Sequence, residues 1–413
     1  LGKFSTLVFS VFSTVFKYNF AVKMKLSFDD TKIAFAHKSM GDLRKAYRLF
    51  QAFSYPFLVV RGPGIANFAL SIGIPIKGLI KNTLFHQFCG GETIEESFPS
   101  AKQLYDNGIG AILDYSVEGE GNKESYEHSF KELSKVIDEA SIKDEYPFAV
   151  FKCTGIGTFE VFEKVASGNE LTPTETQDFE DFKARVGKLC KQSFDKNVKL
   201  FIDAEESWIQ DPLDAVTYQN MELYNKEHAI VYNTIQLYRK GRIEEMEKQI
   251  AIAREKGYKI GYKLVRGAYM EKEGERAQEM NYPNPIQDSK ENTDRDYNRA
   301  IQLCFDNRDI VSVCAGTHNE ESSYMLAQLI QENNIAKKDD RFWFAQLYGM
   351  SDHISFNLAQ SGYNVAKYLP YGPVREVLPY LSRRAQENTS VKGQAGRELA
   401  LIMKEIKRRQ SAK

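Results

Sequence analysis

Tyr262-Lys263-Leu264-Val265-Arg266-Gly267-Ala268-Tyr269 is an apolar run that closes in charge and then in two very small residues. Period-two alternation places Lys263 and Val265 on one face, so the run reads as a buried strand with a polar carboxyl end. Seven other short β-branched or aromatic runs accompany it, at residues 109–115, 148–154, 199–204, 230–237, 311–317, 342–347 and 365–369. Helical periodicity fills the intervals, as at 130–140, 178–194, 243–256 and 322–332. Eight β-α units over roughly 300 residues have the count and length of a (β/α)8 barrel. A doubly wound open sheet is the main competitor, but it normally needs fewer strands.

A barrel demands that active residues lie at the carboxyl ends of its strands. Read that way, the ends supply Asp114, Lys152, Asp203 with Glu205, Gln236, Lys263 with Arg266, Thr317-His318-Asn319, Gln346 and Tyr368. A purely structural barrel has little reason to end its strands so, and the pattern favours an enzyme. Lys152, in Phe151-Lys152-Cys153-Thr154, is either a partner for carboxylates or a Schiff-base amine, and the strand does not separate the two. Its natural partner is Asp203, one strand later. Lys263 beside the small pair Gly267-Ala268 suits a flat, electron-accepting ligand such as a flavin, whose reduced ring gains negative charge. His318 reads as a catalytic base, a cofactor contact or a loop residue, with cofactor contact preferred because no nucleophile accompanies it. It has no ligand-spaced companion, so no metal is expected. Gly155-Ile156-Gly157-Thr158-Phe159-Glu160 carries Glu160 where a dinucleotide fingerprint needs its third glycine, and is discounted.

Near the C-terminus, Tyr380-Leu381-Ser382-Arg383-Arg384-Ala385-Gln386-Glu387 sets Tyr380, Arg383, Arg384 and Glu387 on one face of a helix. Adjacent guanidinium forks suit a substrate carboxylate better than point charges do.

The chain has 413 residues and a formal net charge of -1, which argues against nucleic acid as a partner. Its five cysteines form no CxxC pair and read as reduced core thiols. Residues 1–28 contain neither acid nor arginine, and the uncharged run at 5–16 is too short to span a bilayer. Residues 1–23 are therefore expected to be a leader or upstream extension, with translation starting at Met24. Residues 24–95 read as a helical arm interrupted at Gly62-Pro63-Gly64 and Gly73-Ile74-Pro75, and 96–413 as the barrel.

These segments together resemble the proline dehydrogenase family. The resemblance rests on DAEE at 203–206, KLVRGAY at 263–269, THNEES at 317–322, FAQLYGMSD at 344–352 and YLPYGPVREVLPYLSRRAQEN at 368–388. It implies a (β/α)8 barrel that holds FAD, with the 380–387 helix over its mouth. The implied reaction is oxidation of L-proline to Δ1-pyrroline-5-carboxylate, electrons passing to a membrane quinone. Carried over position by position, Arg383, Arg384 and Lys152 clamp the proline carboxylate, Tyr380 stands beside them, and Tyr368 and Leu347 pack on the pyrrolidine ring. Asp203 orients Lys152 and, with Lys263, forms the catalytic pair. Gln236, Lys263, Val265, Arg266, Gly267, Ala268, Thr317, His318 and Glu387 hold the flavin. Bacterial members often have arginine where Lys263 stands, and a lysine lacks the bidentate fork. Related hydroxyproline dehydrogenases resemble serine at position 368, so Tyr368 implies a preference for proline.

No aldehyde-oxidising segment is recognisable, so a separate pyrroline-5-carboxylate dehydrogenase is expected to take the product. Quinone access implies peripheral membrane contact, through the arm or the basic stretch 404–409. The expected location is cytoplasmic and peripheral to the inner membrane, with the mitochondrial inner membrane or matrix as the alternative. Two rivals stand beside this reading: an aldolase-type barrel using Lys152 or Lys263 as nucleophile, and a non-catalytic carboxylate sensor.

Overall fold

Eight parallel strands close into a barrel in sequence order. They are β1 (Ile109–Tyr115), β2 (Phe148–Lys152), β3 (Lys199–Asp203), β4 (Val231–Gln236), β5 (Ile260–Val265), β6 (Val311–Gly316), β7 (Phe342–Leu347) and β8 (Val365–Tyr371). The structure, a computed structural model, describes residues 26–53, 55, 77–116, 121–390 and 394–412. β8 pairs with β1 from Ile109↔Val365 to Tyr115↔Tyr371, which seals the barrel. The expected fold class is therefore the observed one.

Six of the eight strands differ from their sequence runs at one end or both, and two of those differences bear on the site. β2 stops at Lys152 and gives way to a 3-10 turn at Cys153–Gly155. β5 begins two residues before the apolar run and stops at Val265. Arg266, Gly267, Ala268 and Tyr269 thus lie in the loop above the mouth. Geometry reveals this boundary: Gly267 has φ +137°, and a Cβ there would collide with the Tyr238 ring. Tyr238 itself is held by its backbone N–H, which donates to Arg266 O at 2.8 Å.

The helices begin where capping chemistry puts them. Thr172 and Glu175 form a capping box around Pro173, which opens the Pro173–Asp195 helix. The Arg242–Lys256 helix carries Glu244 and Glu245 in its first turn and ends on left-handed Gly257. Apolar helix faces and outward strand residues form one continuous layer around the barrel. All five cysteines are buried free thiols.

Inside the barrel the filling is aromatic. Phe148 and Phe201 stack at 4.2 Å, with Tyr232 edge-on to both and Trp343 edge-on to Phe148. Tyr368 lies parallel above Phe201 at 6.4 Å. Lysines cap the column at each end: Lys199 Nζ lies 5.4 Å from the Phe148 ring centre, and Lys263 Nζ 4.7 Å from that of Tyr368. Gly261 leaves room for the Tyr232 ring, which a Cβ would strike. The column makes the barrel a packed core with a floor just under its mouth.

A second core covers that mouth. It joins Phe35, Leu43, Phe50 and Phe88 of the arm to Leu381 and Leu401 of two C-terminal helices. The first of these, Leu378–Ser390, forms the roof; the second, Gln394–Ser411, closes against the arm. In the arm, the Met40–Ala52 helix and a helical segment at 77–88 are described. The expected glycine-proline interruptions and the leader at 1–23 lie outside the described residues. Within the basic stretch 404–409, two residues are tied into the fold. Arg409 pairs with Glu405 at 2.6 Å and donates to Phe35 O and Lys38 O at 2.7 Å, while Lys404 donates to Asp29 O at 2.8 Å. No helix among the described residues is long and apolar enough to cross a membrane.

The arm is also held by charge. Asp352 accepts Lys38 at 2.9 Å and Lys367 at 2.8 Å, all three being well buried. Burial alone would raise the Asp352 carboxyl, but Lys367 and Lys38 outweigh it and hold the group far below the usual carboxylate range. Lys367, on β8, also donates to Met350 O at 2.7 Å and Leu347 O at 3.3 Å, which wraps the loop after β7 around its ammonium.

Candidate active site

The carboxyl ends of β1, β2, β3, β5 and β8 meet in one polar network. Lys263 donates to Asp203 and, at 2.7 Å, to the Tyr368 hydroxyl. Lys152 reaches Asp114 at 3.5 Å and Asp203 at 3.8 Å. Asp203 is thus shared, and its nearer partner is Lys263 rather than the expected Lys152. The register explains this: Lys152 lies level with Asp203 on adjacent strands, whereas Lys263 reaches across the interior. Burial would lower the Lys152 pKa, but Asp114, Asp203 and Glu205 raise it above the ordinary lysine value. A lysine so held stays protonated and is a poor Schiff-base nucleophile. Burial also pushes the Tyr368 phenol well up, so it stays neutral.

Glu205 is a hub that sequence reasoning noted only as a strand-end acid. One of its oxygens accepts the Thr154 N–H at 3.2 Å and the Thr154 hydroxyl at 2.9 Å; the other accepts the Tyr269 hydroxyl at 3.1 Å. Its backbone carbonyl accepts Gln236 Nε2 at 2.6 Å. Burial raises its pKa, with Lys152 opposing. Four strand ends are tied together through this one residue.

A second arc of the rim spans β5, β6 and β7. Arg266 donates to Asp294 at 2.7 Å, Thr317 Oγ1 at 2.6 Å and Ser322 Oγ at 3.1 Å, with its guanidinium 4.3 Å from the Tyr297 ring centre. His318 Nδ1 lies 2.9 Å from Ser351 Oγ. Burial, together with Lys367, Arg384, His353 and Arg266, pushes the His318 pKa down to about 3. Gly267 and Ala268 are exposed beside this arc, and Val265 is half-buried under it. The space at Gly267 is fixed by the Tyr238 ring, a packing reason that the sequence did not disclose.

The roof helix brings the remaining residues. Arg384 is buried with its guanidinium 4.9 Å from the Tyr380 ring centre, and Arg383 is half-buried. The charge of Arg383 acts on Lys152 and Tyr269, and that of Arg384 on His318, so both guanidinium groups lie within electrostatic reach of the strand ends. Leu347, at the end of β7, packs against both the interior column and the second core. Glu387 falls in the roof helix, but its side chain lies outside the described residues. Lys152, Arg383 and Arg384 thus bring three cations to the carboxyl end of the barrel, near a neutral phenol and a leucine, a set that can accept a small anion.

A family model described as proline dehydrogenase matches residues 98–397. The chain belongs to the proline dehydrogenase family. As a proline dehydrogenase family member it is an oxidoreductase. It is 30% identical over 431 residues to "Proline dehydrogenase 1, mitochondrial" of Dictyostelium discoideum, covering 93% of this chain and 75% of that one. It is also 30% identical over 425 residues to the hydroxyproline dehydrogenase of Xenopus laevis, covering 93% of this chain and 90% of that one. Among solved structures, proline utilization A (PutA) from Bdellovibrio bacteriovorus, inactivated by N-propargylglycine, superposes with TM-score 0.70 at 19% identity. That likeness covers 92% of this chain but 41% of the PutA chain, and it shows the barrel fold shared within the family.

Proposed function

We propose that the protein oxidises L-proline to Δ1-pyrroline-5-carboxylate as an FAD enzyme. The observation that carries this reading is the set of cations at the strand ends, Arg383 acting on Lys152 and Arg384 on His318, together with the paired Lys263–Tyr368 and Leu347 packed against the same cluster as the phenol. Arg383, Arg384 and Lys152 bind the carboxylate, Tyr380 supports Arg384 through its ring, and Tyr368 and Leu347 orient the pyrrolidine. Asp203 balances both lysines and keeps Lys263 directed at the mouth.

The residues present fit FAD. Gln236, Lys263, Val265, Arg266, Thr317 and His318 line one side of the mouth, and Gly267 and Ala268 leave their backbone exposed for a flat ring. Among the described residues Arg266 bonds Asp294, Thr317 and Ser322 through three of its five N–H groups, and the other two suit an anionic diphosphate. Glu387 is assigned to the same ligand. When bound, FAD supplies the acceptor for the two electrons that leave as the ring C–N bond becomes C=N, two protons being released. Onward transfer to a membrane quinone and delivery of the product to a separate pyrroline-5-carboxylate dehydrogenase complete the assignment. The mitochondrial alternative is preferred over the cytoplasmic one because the slime-mould relative is named as mitochondrial. The described parts of the 24–95 arm act as a cover for the barrel.

Proline is favoured over 4-hydroxyproline because a bulky phenol, held by Lys263, stands at position 368, where the resemblance to hydroxyproline dehydrogenases implies a serine. Anaerobic addition of L-proline to the FAD-loaded protein should bleach its visible absorbance. A protein that stays colourless after FAD is supplied, or whose colour does not change with proline, overturns the assignment. Borohydride trapping of a substrate adduct would instead favour the aldolase rival.

A further inference from the structure

A buried relay runs from the cofactor-facing rim into the C-terminal helix. His318 Nδ1 meets Ser351 Oγ at 2.9 Å, and the Ser351 backbone N–H donates to Glu398 Oε2 at 3.2 Å. Ser351 is 1% exposed and adopts φ +51°, a left-handed conformation that costs energy for any residue with a Cβ. That conformation sends the N–H toward Glu398 and the hydroxyl toward His318. Glu398 is 4% exposed and lies one residue beyond the segment that the family model matches. The loop bearing Ser351 is held on its other side by the Lys367 ammonium at Met350 O.

The imidazole of His318 is neutral, since burial and the surrounding cations depress its pKa to about 3. A neutral imidazole has one N–H and one lone pair, and the partner on Nδ1 decides which nitrogen keeps the proton. Among the described residues, Ser351 Oγ has no second hydrogen-bond partner. If Nδ1 were the donor, the serine proton would be buried without an acceptor. Donation from Ser351 to Nδ1 satisfies both groups and leaves the N–H on Nε2.

We infer that Ser351, anchored by Glu398, is a positioning residue that fixes His318 as the Nε2–H tautomer, so that its imidazole donates to an electron-rich atom of the cofactor. The ligand in this inference rests on the FAD reading above; the tautomer rests on the relay alone.

The test has two arms. Nitrogen-labelled histidine NMR on the full chain without FAD reads the tautomer directly. His318 should be Nε2–H in the wild type and shift toward Nδ1–H or a mixture in Ser351→Gly. Glycine adopts the same positive φ, so this change removes the hydroxyl without adding strain. Glu398→Ala should shift the tautomer partly, and Glu398→Gln, which still accepts the Ser351 N–H, should restore it. In the second arm, FAD dissociation constants are measured for Ser351→Gly, His318→Ala and the double variant. Ser351→Gly should weaken binding about three- to tenfold, and should add nothing once His318 is gone. A His318 tautomer unchanged by Ser351→Gly, or losses that add in the double variant, overturns the proposal. If no protein binds FAD, the functional reading fails, while the NMR arm still decides the relay.

Discussion

On the proposed reading, substrate binding turns on Arg383 and Arg384. Removing one member of a desolvated charged contact typically costs about 2–5 kcal/mol, and about 1.4 kcal/mol is already tenfold. Arg384→Ala and Arg383→Met are therefore expected to raise the proline KM tenfold or more in steady-state assays, with FAD still bound. Unchanged KM in both would remove the two arginines from the mechanism. Tyr368→Ser is expected, on the proposed reading, to raise the kcat/KM ratio for trans-4-hydroxyproline over proline, since it replaces the bulky phenol now bonded to Lys263 by a small hydroxyl. Asp203→Ala strands Lys263, which is 4% exposed, beside the interior aromatics. Breaking such a buried pair costs about 3–5 kcal/mol, so the denaturation midpoint should fall even without substrate. Most of these residues were legible because strand ends in a barrel must point at the mouth. Ser351 and Glu398 were not, since nothing local in Met350-Ser351-Asp352 or Arg397-Glu398-Leu399 announces that a loop and a distant helix will meet.

Strand β5 shows where pattern reading stops. The apolar alternation located the strand, but its end depended on Gly267 at φ +137° and on a tyrosine twenty-nine residues earlier in the chain. Gly267→Ala combines a forbidden φ with a collision at Tyr238, and is expected to lower stability by about 1–3 kcal/mol. Thermal unfolding of Gly267→Ala alone and with Tyr238→Ala separates the two causes, because shaving the ring should recover only the steric share. The roof helix was readable from its i, i+3, i+4 and i+7 polar face, of which Arg383 and Arg384 come within electrostatic reach of Lys152 and His318. Its dependence on the arm was not, because the apolar residues that join them lie over three hundred positions apart, as Phe50 and Leu381 do.

The whole molecule is a barrel whose cover is fastened by depressed carboxylates. Asp352 is held low by Lys367 and Lys38 against its burial, and Glu320 is pushed to about 2 by hydrogen bonds from His353 and Arg397 that outweigh burial. Glu405 is likewise at about 2, through Arg408 and Arg409. Each has a folded pKa below its unfolded value of about 3.9–4.3, so its contribution is complete above that range and fades as pH falls toward the folded value. His37, pushed to about 4 by burial, adds to this. The unfolded chain protonates it first, so stability also declines as pH drops from about 6.5 to about 4. Hydrogen exchange should therefore show the Met40–Ala52 and Gln394–Ser411 helices loosening on acidification before the strands do. Asp352→Asn should loosen them already at neutral pH and flatten the response below about pH 4. If strands and cover exchange together across this range, the fastening does not act separately.

Lys367 has one more consequence. The loop after β7 is moulded on an ammonium that the polypeptide itself carries, where other proteins recruit a dissociable ion. Such a template cannot be chelated, diluted or exchanged, so the wall formed by Leu347 keeps its shape whatever the cell's ionic composition, and only mutation can recast it.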